Sequence, residues 1–336
     1  MLLQHAAPRK SVSSCLVSSV ARKRQVPHRG FTCGGSVPLA STVLPDASPD
    51  LFLKFVSSAQ SIPLRFTRTG NDAAREPVRA RELVSALRKG EDRLVDIELG
   101  RYDNTAPGAF ERVPMRLGQY LDWLEDDTRS GGTIGGQQLY LAQWRGKDEI
   151  LEIADVVRPP SLLSPLLSSG AVDLYQSSFF VGPNNAVTSL HYDPYENLYH
   201  LHASSAPIVY AKHFVLLPPS VSHAIRRGDT QSSLRNTSPI ELSLKRKPYE
   251  DSITDSPGAR TQIFDVLVDA SAPARSAEAI SQHALTCVLV EGETLFIPRG
   301  WWHRVENVAL PNGGRDLSKT AQWTAGVGWW FLCRKS

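Results

Sequence analysis

Hydrophobic and polar positions follow two different periods along this chain. Between Glu76 and Lys89 the apolar residues Ala80, Leu83, Val84 and Leu87 recur at three- and four-residue steps, which predicts a helix closed by Gly90. Met115–Glu125 repeats that pattern through Leu117, Tyr120, Leu121 and Leu124. Leu64–Thr69 predicts a strand opening after Pro63. In Arg93–Gly100, Val95, Ile97 and Leu99 alternate with Asp96 and Glu98, which sends both carboxylates to the other face of a strand. Thr128–Gly136 reads as a Gly-rich loop. Beyond it come short strand-like runs: Gln138–Trp144, Tyr175–Val181, Ala186–His191, Ile208–Leu217, Leu285–Val290, Thr294–Pro298 and Thr320–Phe331. Many short strands parted by turn residues predict a sandwich or barrel. Pro218–His283 is polar and rich in Ser and Pro, so it reads as a surface insertion with one strand at Thr261–Val268.

Composition narrows the class. The 336 residues are 41% hydrophobic and 21% charged, which excludes wholesale disorder. No apolar run approaches the length of a membrane span. Cys15, Cys33, Cys287 and Cys333 are scattered and form no CxxC pair, so neither a zinc ribbon nor a disulfide framework is expected. The net charge of +3 hides an asymmetry. The first 45 residues lack Asp and Glu and carry Arg9, Lys10, Arg22, Lys23, Arg24 and Arg29, a charge of +6, which leaves −3 for the rest. That body is no polyanion binder by charge alone. The basic, Ser-rich head resembles a mitochondrial transit peptide; Arg22-Lys23-Arg24 also fits a nuclear address, and a plain disordered extension fits as well.

Two segments carry chemistry. One is His191-Tyr192-Asp193-Pro194-Tyr195-Glu196-Asn197-Leu198, and the other is Gly292-Glu293-Thr294-Leu295-Phe296-Ile297-Pro298-Arg299-Gly300-Trp301-Trp302-His303. A His-x-Asp pair on a strand points both side chains to one side, and a distant His303 supplies a third ligand from another strand. Two His and a carboxylate suit one face of an octahedral ferrous ion and leave three positions open.

These two segments resemble the JmjC family of Fe(II)- and 2-oxoglutarate-dependent oxygenases, in the branch of small hydroxylases. Leu139-Tyr140-Leu141-Ala142-Gln143, Phe180-Val181-Gly182-Pro183 and Gly328-Trp329-Trp330 add weaker support. The resemblance implies a mainly β fold, a double-stranded β-helix of the jelly-roll or cupin type, with α/β elements before it. It implies three parts: a basic head at 1–36, helix and strand elements at 37–136, and the barrel at 137–333 with an insertion at about 219–283. It implies His191, Asp193 and His303 as catalytic iron ligands. It assigns Tyr140, Thr188, Asn197 and Lys212 to the 2-oxoglutarate cosubstrate, with O₂ as the second cosubstrate. Phe180-Val181 stands where the family often has a tryptophan.

Read without the resemblance, each residue has a plainer role. The two histidines fit an ordinary core or surface, Asp193 the start of a turn with Pro194, Asn197 a turn cap, and Tyr140, Thr188 and Lys212 simple strand positions. His200 and His202 are given no role, and Glu98 reads as an exposed strand carboxylate. Trp301, Trp302, Trp329 and Trp330 read as core or pocket wall. The basic triplet Lys245-Arg246-Lys247 reads as a solvated loop. Leu201–Tyr210 is longer than the family pattern and includes Pro207, which would break a central ladder. Either a bulged loop interrupts the strand there or the stretch is retained non-coding sequence, and both leave the register of Lys212 open. The activity implied is hydroxylation of a protein side chain. An RNA substrate and a binding module without turnover stand as alternatives, and histone demethylation ranks lower. No membrane partner is expected.

Overall fold

The computed structural model describes residues 48–58, 61–67, 78–101, 109–126, 137–207, 209–226, 234–248, 257–311 and 321–334, with two-residue strands at Phe31–Thr32, Val37–Pro38, Ser41–Thr42 and Thr133–Ile134. Most of the basic head, most of the Thr128–Gly136 loop and Glu250-Asp251 lie outside the described residues.

Three helices precede or flank the first strands: α1 (Pro49–Val56), α2 (Val78–Arg88) and α3 (Leu117–Glu125). α1 starts cleanly because the Ser48 hydroxyl accepts from Leu51 N and Pro49 sits where its missing N–H costs nothing. The strands in chain order are β1 (Leu64–Phe66), β2 (Leu94–Gly100), β3 (Phe110–Arg116), β4 (Gln137–Trp144), β5 (Val172–Pro183), β6 (Val187–Tyr192), β7 (Glu196–Ser204), β8 (Tyr210–Leu217), β9 (Leu242–Arg246), β10 (Phe264–Val268), β11 (Leu285–Leu289), β12 (Thr294–Ile297), β13 (Trp302–Ala309) and β14 (Trp323–Cys333). A fourth long helix, α4, spans Ala274–His283.

Eight of these strands make a jelly roll. One wall is β6–β13–β8–β11 and the other is β12–β7–β14–β5. The second wall continues through β4 and β2 to β3, and through β1 on its other edge. The described fold is mostly β and antiparallel, as the periodicity predicted. Alternation along each strand sorts the side chains into two sets. Phe180, Tyr199, Leu201, Phe214, Leu216, Leu289, Leu295 and Ile297 fill the barrel. Phe52, Leu83, Leu87, Leu121, Leu198, Phe296, Val327, Trp329 and Phe331 form a second core between the helices and the outer face of the larger wall.

Several details depart from the sequence reading. β3 was not foreseen: it is an edge strand with Glu111, Arg112 and Arg116 exposed or half-buried, so its apolar alternation is weak, and an edge tolerates Pro114. β7 was missed because it is buried on both faces and shows no alternation. The longer stretch at Leu201–Tyr210 completes β7, bulges between Leu201 and Ala203, and turns through Ser205–Pro207. Pro207 therefore lies outside the ladder. Ser204 ties the turn by donating to Ala206 O and Tyr210 O, and Ser205 exchanges hydrogen bonds with Trp323.

The insertion after Pro218 is more than surface loop. β9, β10 and α4 lay Leu242, Val266, Val268 and Ile280 against Leu190, Val215, Leu217 and Trp302 on the outside of the smaller wall. Lys245 and Arg246 belong to β9, and Lys247 pairs with Asp265 at 3.0 Å. Residues 236–238 run beside β6: Tyr192 N donates to Asn236 O at 3.0 Å, Ser238 N donates to Leu190 O at 2.7 Å, and His191 bridges Thr237. The insertion thus covers the edge of the strand that carries His191. No described helix is long and apolar enough to cross a membrane.

Candidate active site

β6 and β13 pair so that His191 and His303 are direct cross-strand neighbours. Their ring centroids stand 4.2 Å apart at 54°. Asp193 follows two residues after His191, just beyond the strand end. Gly300 N donates to Asp193 O at 3.0 Å, from a turn in which Gly300 takes φ +79°, a conformation that favours glycine. The ligand atoms of His191, Asp193 and His303 all lie within 4.8 Å of one another.

The histidine tautomers are set from behind. His191 Nδ1 lies 2.8 Å from Ser189 O, and His303 Nδ1 lies 3.1 Å from Trp301 O. A carbonyl only accepts, so each Nδ1 carries the proton and each Nε2 offers its lone pair to the shared space. Those Nε2 atoms stand 3.9 and 3.5 Å from the Asp193 carboxylate. Burial, and then the neighbouring His191 ring, holds His303 down to about 4, so it is neutral at ordinary pH. Burial pushes Asp193 upward, but the two imidazoles and hydrogen bonds from Trp330 and Asn197 outweigh it and leave the carboxyl below its usual range. Two imidazole Nε2 atoms and a carboxylate, converging in a buried corner, are a donor set that fits a divalent transition metal.

Deeper in the barrel lies a lysine with no counter-ion among the described residues. Lys212 comes from β8, where it sits opposite Leu289 and Asn307. Its side chain is 1% exposed, and its Nζ donates to the Tyr140 hydroxyl at 3.2 Å. Burial alone brings the ammonium down to about 7. Thr188 hydrogen-bonds Tyr140 from the opposite wall. The rings of Tyr140 and Tyr199 flank the ammonium at 5.5 and 5.9 Å. Asn197 Oδ1 and the Tyr199 hydroxyl are buried without a hydrogen-bond partner. A small dicarboxylate would supply what these groups lack: a carboxylate for Lys212 and acceptors or donors for the orphaned atoms.

All seven residues singled out from the sequence therefore gather around one pocket. Tyr140, Thr188, His191, Asp193, Asn197 and His303 line it together with Gln143, Phe180, Tyr199, Phe214, Ile297, Val305 and Trp330, and Lys212 reaches it through Tyr140. Asn197 also spends its amide N–H₂ on Asp193 Oδ2 at 3.3 Å, a metal-side contact that the motif alone did not reveal. Tyr199 was missed, although it is two residues from Asn197 on one strand and so shares its face. Trp330, read as pocket wall, also donates its indole N–H to Asp193 Oδ2 at 2.8 Å.

Glu98 differs from its expected exposure. It lies opposite Tyr140 in the β2–β4 pair, is 6% exposed, and holds Arg112 at 2.9 Å. Burial raises its carboxyl despite that guanidinium. His200 binds the Thr294 hydroxyl and His202 lies buried outside the pocket lining, so neither joins the metal corner.

Comparison with known proteins agrees with this geometry. Two Arabidopsis thaliana proteins named lysine-specific demethylases are similar to it. JMJ30 is 26% identical over 69% of this chain and 43% of its own length, and JMJ32 is 25% identical over 46% of this chain and 41% of its own. The chain thus spans less than half the length of these curated relatives. The family model for the cupin-like domain matches residues 55–334, from α1 to the end of β14, and the chain belongs to that JmjC-like cupin family.

Proposed function

We propose that this protein is an Fe(II)- and 2-oxoglutarate-dependent oxygenase that hydroxylates a side chain of a protein substrate. The observation that carries the reading is one pocket with two chemically distinct ends. Three metal-type ligands converge at the mouth, and an uncompensated, buried lysine waits inside.

His191, Asp193 and His303 would hold the iron, and Lys212, Tyr140, Thr188 and Asn197 the 2-oxoglutarate. When bound, that pair supplies the oxidising power to place one atom of O₂ into a C–H bond, with succinate and CO₂ as coproducts. The chain's own residues do the rest. The backbone carbonyls of Ser189 and Trp301 hold the proton of each neutral ring on Nδ1 and so aim both Nε2 lone pairs into the corner. Lys212 neutralises a carboxylate in a place water does not reach. Phe180, Phe214 and Trp330 wall the reacting space and exclude solvent.

Glu98 supports a basic side chain as the target. It shares the Tyr140 face of the sheet, is buried and already accepts from the Arg112 guanidinium at 2.9 Å, so a substrate cation would have to share or displace that partner. Mono- and dimethylated ammoniums keep fewer N–H donors and a trimethylated one keeps none, so the demethylase activity in the relatives' names is the second reading here. An RNA substrate draws little support from a body of charge −3 after residue 45. The binding-module reading draws on the longer stretch before Lys212, and the contact of Lys212 Nζ with the pocket-lining Tyr140 weighs against it.

The test is succinate formation from 2-oxoglutarate with Fe(II), ascorbate and the full chain, beside a His191→Ala control. Lysine- and arginine-centred peptides and their methylated forms are then supplied. A peptide mass gain of one oxygen supports hydroxylation. Formaldehyde release supports demethylation instead. Equal succinate from His191→Ala would defeat the oxygenase reading.

A further inference from the structure

Asp193 is the carboxylate of the metal corner, and its two oxygens are not alike. Oδ2 receives two N–H donors, Trp330 Nε1 at 2.8 Å and Asn197 Nδ2 at 3.3 Å. Indole N–H can only donate, so Trp330 needs an acceptor there and finds it in this oxygen. Oδ2 also stands 3.5 Å from His303 Nε2, but two N–H donors draw on its charge, which leaves Oδ1, 3.9 Å from His191 Nε2, as the stronger donor to an ion.

The sequence Gly328-Trp329-Trp330 is built for this contact. β14 alternates, so positions 328 and 330 face the barrel while 329 faces the outer core. Trp329 is fully buried among Phe52, Leu198 and Phe331 and its indole N–H has no partner. Gly328 has no side chain because a Cβ there would stand 2.8 Å from Trp330 Cη2. The glycine is the slot in which the indole lies flat enough to reach Asp193. Phe180 closes the other side, with ring centroids 6.1 Å apart.

We infer that Trp330 is a positioning residue of the metal centre: its indole N–H, seated over Gly328, holds Asp193 Oδ2 and presents Oδ1 as a single-oxygen ligand. The inference rests on the metal reading of His191, Asp193 and His303.

Three substitutions and one probe test it. Trp330→Phe removes the N–H and keeps a ring. Gly328→Ala leaves the indole chemically intact but pushes it from its slot. Trp329→Phe removes an indole N–H from the neighbouring residue that never meets Asp193. Mn(II) alone, titrated into the full chain and followed by the EPR signal of the free ion, reads the affinity. Loss of an outer-shell partner typically costs ten- to a hundredfold in metal affinity. Trp330→Phe is expected to weaken Mn(II) about tenfold, Gly328→Ala similarly, and Trp329→Phe less than about twofold. In the Co(II)-loaded protein the visible bands shift for the first two variants and not for the third. A Trp330→Phe protein that binds Mn(II) as tightly as wild type overturns the inference. So does an equal loss in all three variants, which would mark general loosening of β14. Wild-type protein that binds no Mn(II) would instead defeat the metal reading itself.

Discussion

Lys212 Nζ meets the Tyr140 hydroxyl 3.2 Å away across the barrel interior, and that hydroxyl is its one hydrogen-bond partner among the described residues. A neutral phenol does not repay the desolvation of an ammonium, so the lysine titrates near 7 rather than above 10. Between about pH 7 and the ordinary lysine value the unfolded chain holds more protons than the folded one at this site. The free protein therefore gains stability from this group as pH rises through that window. A bound dicarboxylate reverses the preference by stabilising the charged form. Binding of 2-oxoglutarate is then expected to be proton-neutral at pH 6 and to take up close to one proton at pH 8.5. Its affinity should fall up to about tenfold per pH unit above 7. Calorimetry in buffers of different ionisation enthalpy measures the uptake, and Lys212→Met should abolish both the uptake and most of the affinity. Proton-neutral binding at pH 8.5 would argue that another cation holds the ligand.

Gln143 carries a different kind of cost. It lies at the pocket rim in the left-handed region, φ +55°, where β4 slips its register against β5 between Leu141 and Trp144. The bulge aims an exposed amide over the pocket. A non-glycine residue held there costs on the order of 1 kcal/mol. Relief of that strain less the greater chain entropy of glycine leaves Gln143→Gly an expected gain of about 0–0.5 kcal/mol in denaturant melts. A loss of stability would mean that the amide side chain is a structural strut.

Glu293 belongs to the second sequence motif but works away from the metal. It accepts from Arg260 Nη1 and Nη2 at 3.3 Å and from Val290 N at 3.1 Å, with both charged side chains buried. This pair fastens the insertion to the barrel floor. Removing one partner strands a buried charge, so Glu293→Ala should cost about 3–5 kcal/mol. Replacing both, as Arg260→Met with Glu293→Leu, should recover most of it. Urea unfolding of the single and double variants decides the matter. A single variant within 1 kcal/mol of wild type would show the pair to be solvated.

These residues also show which parts of the design were legible. The two walls of the barrel announced themselves because one face of many strands is apolar and turns separate them. His191, Asp193 and His303 were legible because a His-x-Asp pair with a distant histidine stands in two segments that resemble a known family, although Asp193 lies just beyond the strand end. β7 was hidden by burial on both faces, and α4 by its composition, since Ser276 and Ile280 are its buried residues. The register of Lys212 depended on a hairpin turn whose length no periodicity reports. The Trp330–Asp193 bond spans 137 residues and has no local signature. Glu98 looked exposed because alternation tells which face a residue takes, not what later covers that face.

The metal corner should also act as a stability switch. In the free protein the ligand atoms of two imidazoles and a carboxylate lie within 4.8 Å of one another. An ion that binds only the folded state stabilises it by RT ln(1 + [L]/Kd), about 2.7 kcal/mol at a hundredfold excess over Kd. Mn(II) at that excess should raise the melting midpoint by about 4 °C for a chain of this size. EDTA should return it to the metal-free value. His303→Ala should lose the response, because two remaining ligands cannot close a facial set. The measurement is a thermal melt of wild type and His303→Ala with Mn(II) and with EDTA. An equal shift in both proteins would place the ion elsewhere, and no shift in either would leave the three residues as a corner without a metal.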